Sequence, residues 1–205
     1  EGTEKEIKDW FKTINIAGIP LNQQEELNAV FSGEFVTLCK AEFSNSQSSH
    51  IQRWESYVKG PANRQQFLAT ALEWVSRNME AQDKVSAYMS MHRRDTNINE
   101  IKTYFNTVID WVDSKFDDVY PEMQGLNWGE LYERFHAKPY DHTELSAKVR
   151  TLMTDDFVGN RRGIFEYVLG GCQDTKLLNV RLFDKPTMRK VYEQQTTQAK
   201  AEGVS

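Results

Sequence analysis

The stretch Asn97–Phe116, NINEIKTYFNTVIDWVDSKF, carries the longest regular pattern in the chain. Ile98, Ile101, Phe105, Val108, Ile109, Val112 and Phe116 recur every three or four residues, the spacing that lines one face of an α-helix. Asn97 precedes the pattern and can cap it. We expect this helix to be the central pillar of the packing, with its neighbours laid against it.

Working outward, nearly every other segment has the same character. Toward the N-terminus, Asn63 is expected to cap a helix striped by Phe67, Leu68, Ala71, Leu72 and Val75, and a weaker helix holds Val85, Tyr88 and Met89. Ile51, Trp54 and Val58 stripe another, broken at Gly60–Pro61. Phe35, Cys39 and Phe43 fall at i, i+4 and i+8 after Gly33, and the polar run Ser44–Ser49 reads as a loop and a boundary. Asn22 with Glu25, and Thr3 with Glu6, have the spacing of capping boxes that open two further helices. Between them Phe11–Glu25, FKTINIAGIPLNQQE, reads as a helix–turn–helix corner pinned by Ile14, Ile16, Ile19 and Leu21.

Toward the C-terminus, Asn127 is a cap for a helix with Trp128, Leu131, Tyr132 and Phe135 on one face. Asp141 and Glu144 form another box, ahead of Leu145, Val149 and Leu152. The segment Phe157–Leu169 reads as a helix ended by Gly170–Gly171, and Pro186 stands near the start of a last one. Leu177–Phe183 is the one candidate strand. The expected class is all-α: a multi-helix bundle of about nine to eleven amphipathic helices with at most one short strand or hairpin.

At 205 residues the chain is long enough to bury a sizeable core, and its 39% hydrophobic and 27% charged residues are those of a folded chain. A net charge of -5 argues against broad, unspecific coating of nucleic acid, though not against a local basic patch. Cys39 and Cys172 show no CxxC or Cys/His spacing, so both read as small buried hydrophobes in a reducing, cytoplasmic setting. No apolar run approaches the about 18 residues of a membrane span, and no signal peptide is visible. Glu1 in place of a start methionine suggests a piece of a longer protein.

Chemistry-bearing motifs are sparse. His50, His92, His136 and His142 are scattered, with no HxxxH or HExxH pair, so no metal site is expected. The adjacent carboxylates Asp117–Asp118 and Asp155–Asp156 point apart on a helix and read as helix-end charges. Trp10, Trp54, Trp74, Trp111 and Trp128 sit at helical spacing and read as core. Two basic pairs, Arg93–Arg94 and Arg161–Arg162, are candidate DNA contacts; the alternative is solvation, neutralisation of helix C-termini or pairing with carboxylates.

Phe11, Asn15, Gly18, Pro20, Leu21 and Glu25 resemble the F-x-x-x-N-x-x-G-x-P-L-x-x-x-E signature of a family of bacterial defence proteins. In that family a ParB/sulfiredoxin-like domain with an Asp-Gly-Gln-Gln-Arg motif is joined to an HNH endonuclease module, and the GmrSD modification-dependent restriction enzymes are relatives. The opening EGTEKEIKDWF is similar to the stretch before the signature. RRGIFEYVLGG and NVRLFDKPTMRKVYEQQ resemble the segment that leads into the zinc ribbon and HNH site. Neither active-centre motif occurs in the chain. The resemblance therefore implies a non-catalytic helical module that couples a nucleotide- or DNA-sensing domain to the nuclease in a phage-restriction protein. It further implies a boundary, with 1–45 ending the N-terminal domain and 46–205 forming a helical linker domain. Phe11, Asn15, Gly18, Leu21 and Glu25 would be signature residues at the edge of the nucleotide-handling site, Asn15 nearest to it, with turn capping as the alternative for Asn15. The chain itself is expected to hold no cofactor; its parent would use a divalent metal and, as a further expectation, a nucleotide. DNA would be met through the parent, and a homo-oligomer is a further candidate partner.

Overall fold

The structure, a computed structural model, describes residues 3, 6, 9, 21–45, 49–180, 192–194 and 196. Among these the protein is all-α, with nine α-helices, three 3₁₀ turns and no strand. The helices are α1 (Gln23–Val30), α2 (Glu34–Phe43), α3 (Ser49–Trp54), α4 (Gln66–Ser76), α5 (Lys84–His92), α6 (Asn99–Asp113), α7 (Trp128–Phe135), α8 (His142–Thr154) and α9 (Gly163–Leu169). No helix among the described residues is long and apolar enough to cross a membrane. The chain divides into two compact units, 1–146 and 147–205. The expected boundary at 45/46 lies inside the first.

Helix starts follow from side chains that meet the orphan backbone N–H groups of a first turn. Asn22 Oδ1 accepts from Glu25 N at 2.9 Å while Glu25 Oε2 accepts from Asn22 N at 2.9 Å, a complete capping box. Thr3 and Glu6 close the same box, with Thr3 N donating to Glu6 Oε2 at 2.7 Å and Glu6 N to Thr3 Oγ1 at 3.4 Å. Asn127 and Asp141 accept from Glu130 N and Glu144 N. Asp83 caps α5 by accepting from Ser86 N.

In the first unit the hub is α4 rather than the longer α6. Within α4 only Glu73 is exposed, whereas α6 exposes Asn99, Glu100, Thr103, Thr107 and Asp110 beside its apolar stripe. A helix covered by neighbours on most sides sits at the centre, and a one-sided helix lies against it. Accordingly α4 packs on α1, α2, α5, α6 and α7. Its contact with α6 and α7 is aromatic: Phe105 stacks on Trp74 at 5.0 Å and meets Trp54 edge-on at 4.9 Å, with Phe43 at 5.4 Å from both Trp54 and Phe105. Gly129 lets α7 close onto this stack, since a Cβ there would lie 2.5 Å from Trp74 Cγ. Ion pairs lace the rim: Arg53 binds Asp110 and Asp113, and Lys102 meets Glu42 at 3.0 Å.

The second unit packs Val149, Val158, Ile164, Phe165, Val168, Leu169 and Leu178. The turn Thr175–Leu178 lies on the start of α9, where Asn160 N donates to Leu178 O and Asn160 Nδ2 to Leu177 O, both at 2.9 Å. Gly163 permits that approach, because a Cβ there would fall 1.9 Å from Leu177 O.

Four local expectations are corrected. The candidate strand Leu177–Phe183 begins in a 3₁₀ turn, whose hydrogen bonds are local; residues 181–183 lie outside the described residues. Asn63 lies inside the turn Ala62–Arg64, so the first residue before α4 is Gln65, in the left-handed region at φ +66°. The helix striped by Ile51, Trp54 and Val58 ends at Trp54, and Tyr57 and Val58 are buried from a turn instead. The Phe157–Leu169 helix starts only at Gly163, because Asp155 Oδ1 takes Phe157 N in a local turn.

Candidate functional site

On the side of α4 away from Trp74 and Phe105, polar side chains replace the aromatic stack. Gln24, Asn28 and Gln65 are each less than a tenth exposed. Gln24 Nε2 donates to Asn28 Oδ1 at 2.8 Å, one turn along α1. Asn28 Nδ2 donates to Gln65 Oε1 at 3.3 Å, and Ser44 Oγ donates to the same oxygen at 2.9 Å. A single amide at the head of α4 thus joins α1 to the C-cap of α2. Buried polar groups of this kind hold register, because each loses several tenths to a few kcal/mol if its partner moves away.

The same corner is tied a second time. Asn22 Nδ2 donates to Arg64 O at 2.8 Å, and the Arg64 guanidinium sits 3.3 Å from Glu25 Oε2. Both residues of the α1 capping box therefore reach the turn that leads into α4. Gln65 at φ +66° is the conformational cost of that turn, about 1 kcal/mol for a residue with a Cβ.

Next to the seam the surface between α1, α4 and α5 is hollow. One cavity of about 410 Å³ is lined by Gln23, Glu73, Ser76, Arg77, Asp83 and Lys84, with Gln82 and Val85. A second, of about 280 Å³, shares Gln23, Glu73, Asp83 and Val85 with it and reaches Gln24 and Leu27. Together they form one groove of mixed polar and apolar lining. Arg77 Nη1 meets Glu130 Oε2 at 3.3 Å, and Lys84 Nζ donates to Arg77 O.

Of the residues singled out from sequence, Leu21 is half-buried and Glu25 completes the α1 cap. Phe11, Asn15 and Gly18 lie outside the described residues. Arg93, Arg94, Arg161 and Arg162 are all exposed. Arg93 ends α5 and donates from Nε to Ser32 O at 3.1 Å, while Arg162 stands at the N-cap position of α9 without a capping bond from its side chain. The two pairs belong to different compact units. The histidines each meet a separate neighbour: His92 pairs with Asp95 at 2.7 Å, His142 with Asp117 at 3.0 Å, His136 with Tyr132 O at 2.7 Å, and His50 stacks on Trp54. Among the described residues no group of three or more His, Cys, Asp or Glu could hold a metal ion. Cys39 is buried, and burial pushes its thiol up to about 12.

Sequence reasoning passed over Gln24, Asn28, Gln65, Ser76 and Arg77. Amides and hydroxyls on a helix read as solvent-facing, and the i, i+4 spacing of Gln24 and Asn28 is the only local signal of their contact. Compared with protein-family models, with curated proteins and with solved structures, the chain gives no match in any of the three.

Proposed function

We propose that this chain is the non-catalytic helical module of a modification-dependent restriction or phage-defence HNH endonuclease, acting in the bacterial cytoplasm. Its work is mechanical: it couples a nucleotide- or DNA-sensing domain, joined through the Phe11–Glu25 corner, to the nuclease. The observation that supports this reading is the double tie between that corner and the hub. Asn22 and Glu25 both reach Arg64, and Gln65 gathers Asn28 and Ser44 at the head of α4. A shift at the corner moves or breaks bonds at α4, and α4 packs on five other helices. The test is made in the full-length parent: Gln65→Ala is expected to leave sensing intact and to lower sensing-dependent cleavage at least tenfold. Cleavage that remains fully coupled in this variant would overturn the reading. The isolated 205-residue chain is expected neither to hydrolyse nucleoside triphosphate nor to cut DNA with Mg²⁺ or Mn²⁺, and metal-dependent cleavage by a clean preparation contradicts it.

A second reading, a DNA-binding module, is favoured by the exposure of all four arginines, Arg93, Arg94, Arg161 and Arg162. It predicts binding that weakens steeply with salt and weakens again in Arg161→Ala/Arg162→Ala. No electrophoretic shift at low salt would eliminate it. A third, a protein-interaction scaffold, predicts a solution mass above that of one 23.8 kDa chain.

A further inference from the structure

The smaller of the two hollows beside α4, about 280 Å³, has a polar wall made of acceptors. Glu73 is the one exposed residue of α4 and lines both hollows. Among the described residues its carboxylate meets no hydrogen-bond or ion-pair partner. Asp83, before the first turn of α5, brings a second carboxylate to the same wall. Its direction is fixed, since Oδ1 accepts from Ser86 N at 2.9 Å and Oδ2 from Ser86 Oγ at 2.7 Å. Among the described residues no Lys, Arg or His lines this hollow. The cations of the adjoining hollow are turned elsewhere, Arg77 Nη1 to Glu130 and Lys84 Nζ to the carbonyl of Arg77.

Gln24 is an independent mark of a missing donor. It is 6% exposed and lines the same hollow. Its Nε2 is taken by Asn28 Oδ1 at 2.8 Å, which holds the amide in place. Its Oε1 accepts from no donor among the described residues, yet, unlike Ser76 Oγ, it is not sealed inside the protein. A carbonyl so placed is left to be met by whatever fills the hollow. The rest of the wall, Leu27, Ala69 and Val85, is apolar.

We infer that this hollow binds an organic ammonium ion on a short aliphatic stem. The ammonium donates to Gln24 Oε1 and Glu73, Asp83 adds its charge, and the stem lies on Leu27 and Val85. An ammonium has three donors and no acceptor, which matches a wall of acceptors, and its bonds to carboxylates are of the stronger, charge-assisted kind. A neutral hydroxyl would answer Gln24 but leave two carboxylates without a counter-charge, and an anion would be repelled by both. A free alkylamine and the lysine side chain of a partner carry the same group. The assignment goes beyond the coupling role and does not rest on it, so the isolated chain tests it.

The test is an amide-shift titration of the 205-residue chain by NMR, with butylammonium chloride in one arm and N-acetyl-lysine methylamide in the other, against sodium chloride at matched ionic strength. Saturable shifts at the amides around Gln24, Glu73 and Asp83 are expected in at least one arm. Saturation by butylammonium, alone or in both arms, means that a free amine suffices; saturation by the capped lysine alone identifies a partner's side chain. Glu73→Gln, at an exposed position, is expected to fold as the parent does and to weaken binding about tenfold, the value of one hydrogen bond to a charged partner. Ala69→Leu, which fills the hollow from α4, is expected to abolish saturation. Shifts in neither arm, shifts no greater than those of sodium chloride, or Glu73→Gln binding as tightly as the parent chain would each overturn the assignment.

Discussion

Helix α4 has two faces of opposite chemistry, and each is suited to a different task. Toward α6 and α7 it presents Trp74 and Phe67 to a dry stack with Phe105, Trp54 and Phe43. Toward α1 and α2 it presents the amide of Gln65, a chain of polar partners and a hollow groove. The dry face gains free energy from area removed from water and from dense packing, and it tolerates small displacements poorly. The polar face contributes little net stability per bond, but every bond has a partner and a direction. Stability is concentrated on one face, and register on the other.

That contrast is open to attack from either side. The largest loss is expected from Phe105→Ala, which empties the dry face. The ring is 0% exposed, and deletions of buried aromatics cost about 3–5 kcal/mol, read as a fall in the urea midpoint. A loss under about 1 kcal/mol would mean that the stack is not where stability resides. On the polar face Gln65→Ala is expected to cost about 1–3 kcal/mol by orphaning Asn28 and Ser44. Gln65→Gly breaks the same bonds but fits φ +66° without a Cβ, so it should be the milder of the two by about 1 kcal/mol. Equal losses would show that the left-handed turn carries no strain. A smaller effect, about 1 kcal/mol, is expected from Asn22→Ala, which removes the α1 cap and one tie to Arg64.

Alkaline pH probes the polar rims around the dry face and leaves neutral stability untouched. Burial, together with the hydrogen bond to Asp113, pushes the Tyr57 phenol up; burial with Glu133 does the same to Tyr104. Their folded pKa values are raised, so the stability they contribute is complete below the unfolded value near 10 and is lost as pH climbs toward the folded one. The urea midpoint should therefore fall between about pH 9 and about pH 11, and fall less in Tyr57→Phe. A flat profile over that interval would refute the assignment.

What could be read from the sequence divides along the same line. The caps at Asn22, Asn127 and Asp141, the box of Thr3 and Glu6, and the stripe of α6 were legible, because each rests on side chains a few residues apart. The place of α4 as hub was harder to see. Its Phe67, Leu68, Ala71, Leu72 and Val75 read as one strong stripe like that of α6, and nothing in the spacing says that neighbours cover the rest of the helix as well. The seam and the groove were invisible for a physical reason. Gln24, Asn28, Gln65 and Ser76 are residues that water ordinarily solvates, and only the arrival of distant segments, α2 and the 62–64 turn among them, makes them interior. The left-handed Gln65 gave no warning either, since neither Gly nor Asn marks the position.

Native-state hydrogen exchange on the 205-residue chain and on Gln65→Ala reads the two faces of α4 in one experiment. The two-faced account predicts that the amides of α1 open in a local unit, losing at least tenfold in protection in the variant, while those of α6 follow only the global change in stability. Amides of α1 that exchange only through global unfolding, as protected as those of α6 in both chains, would contradict it.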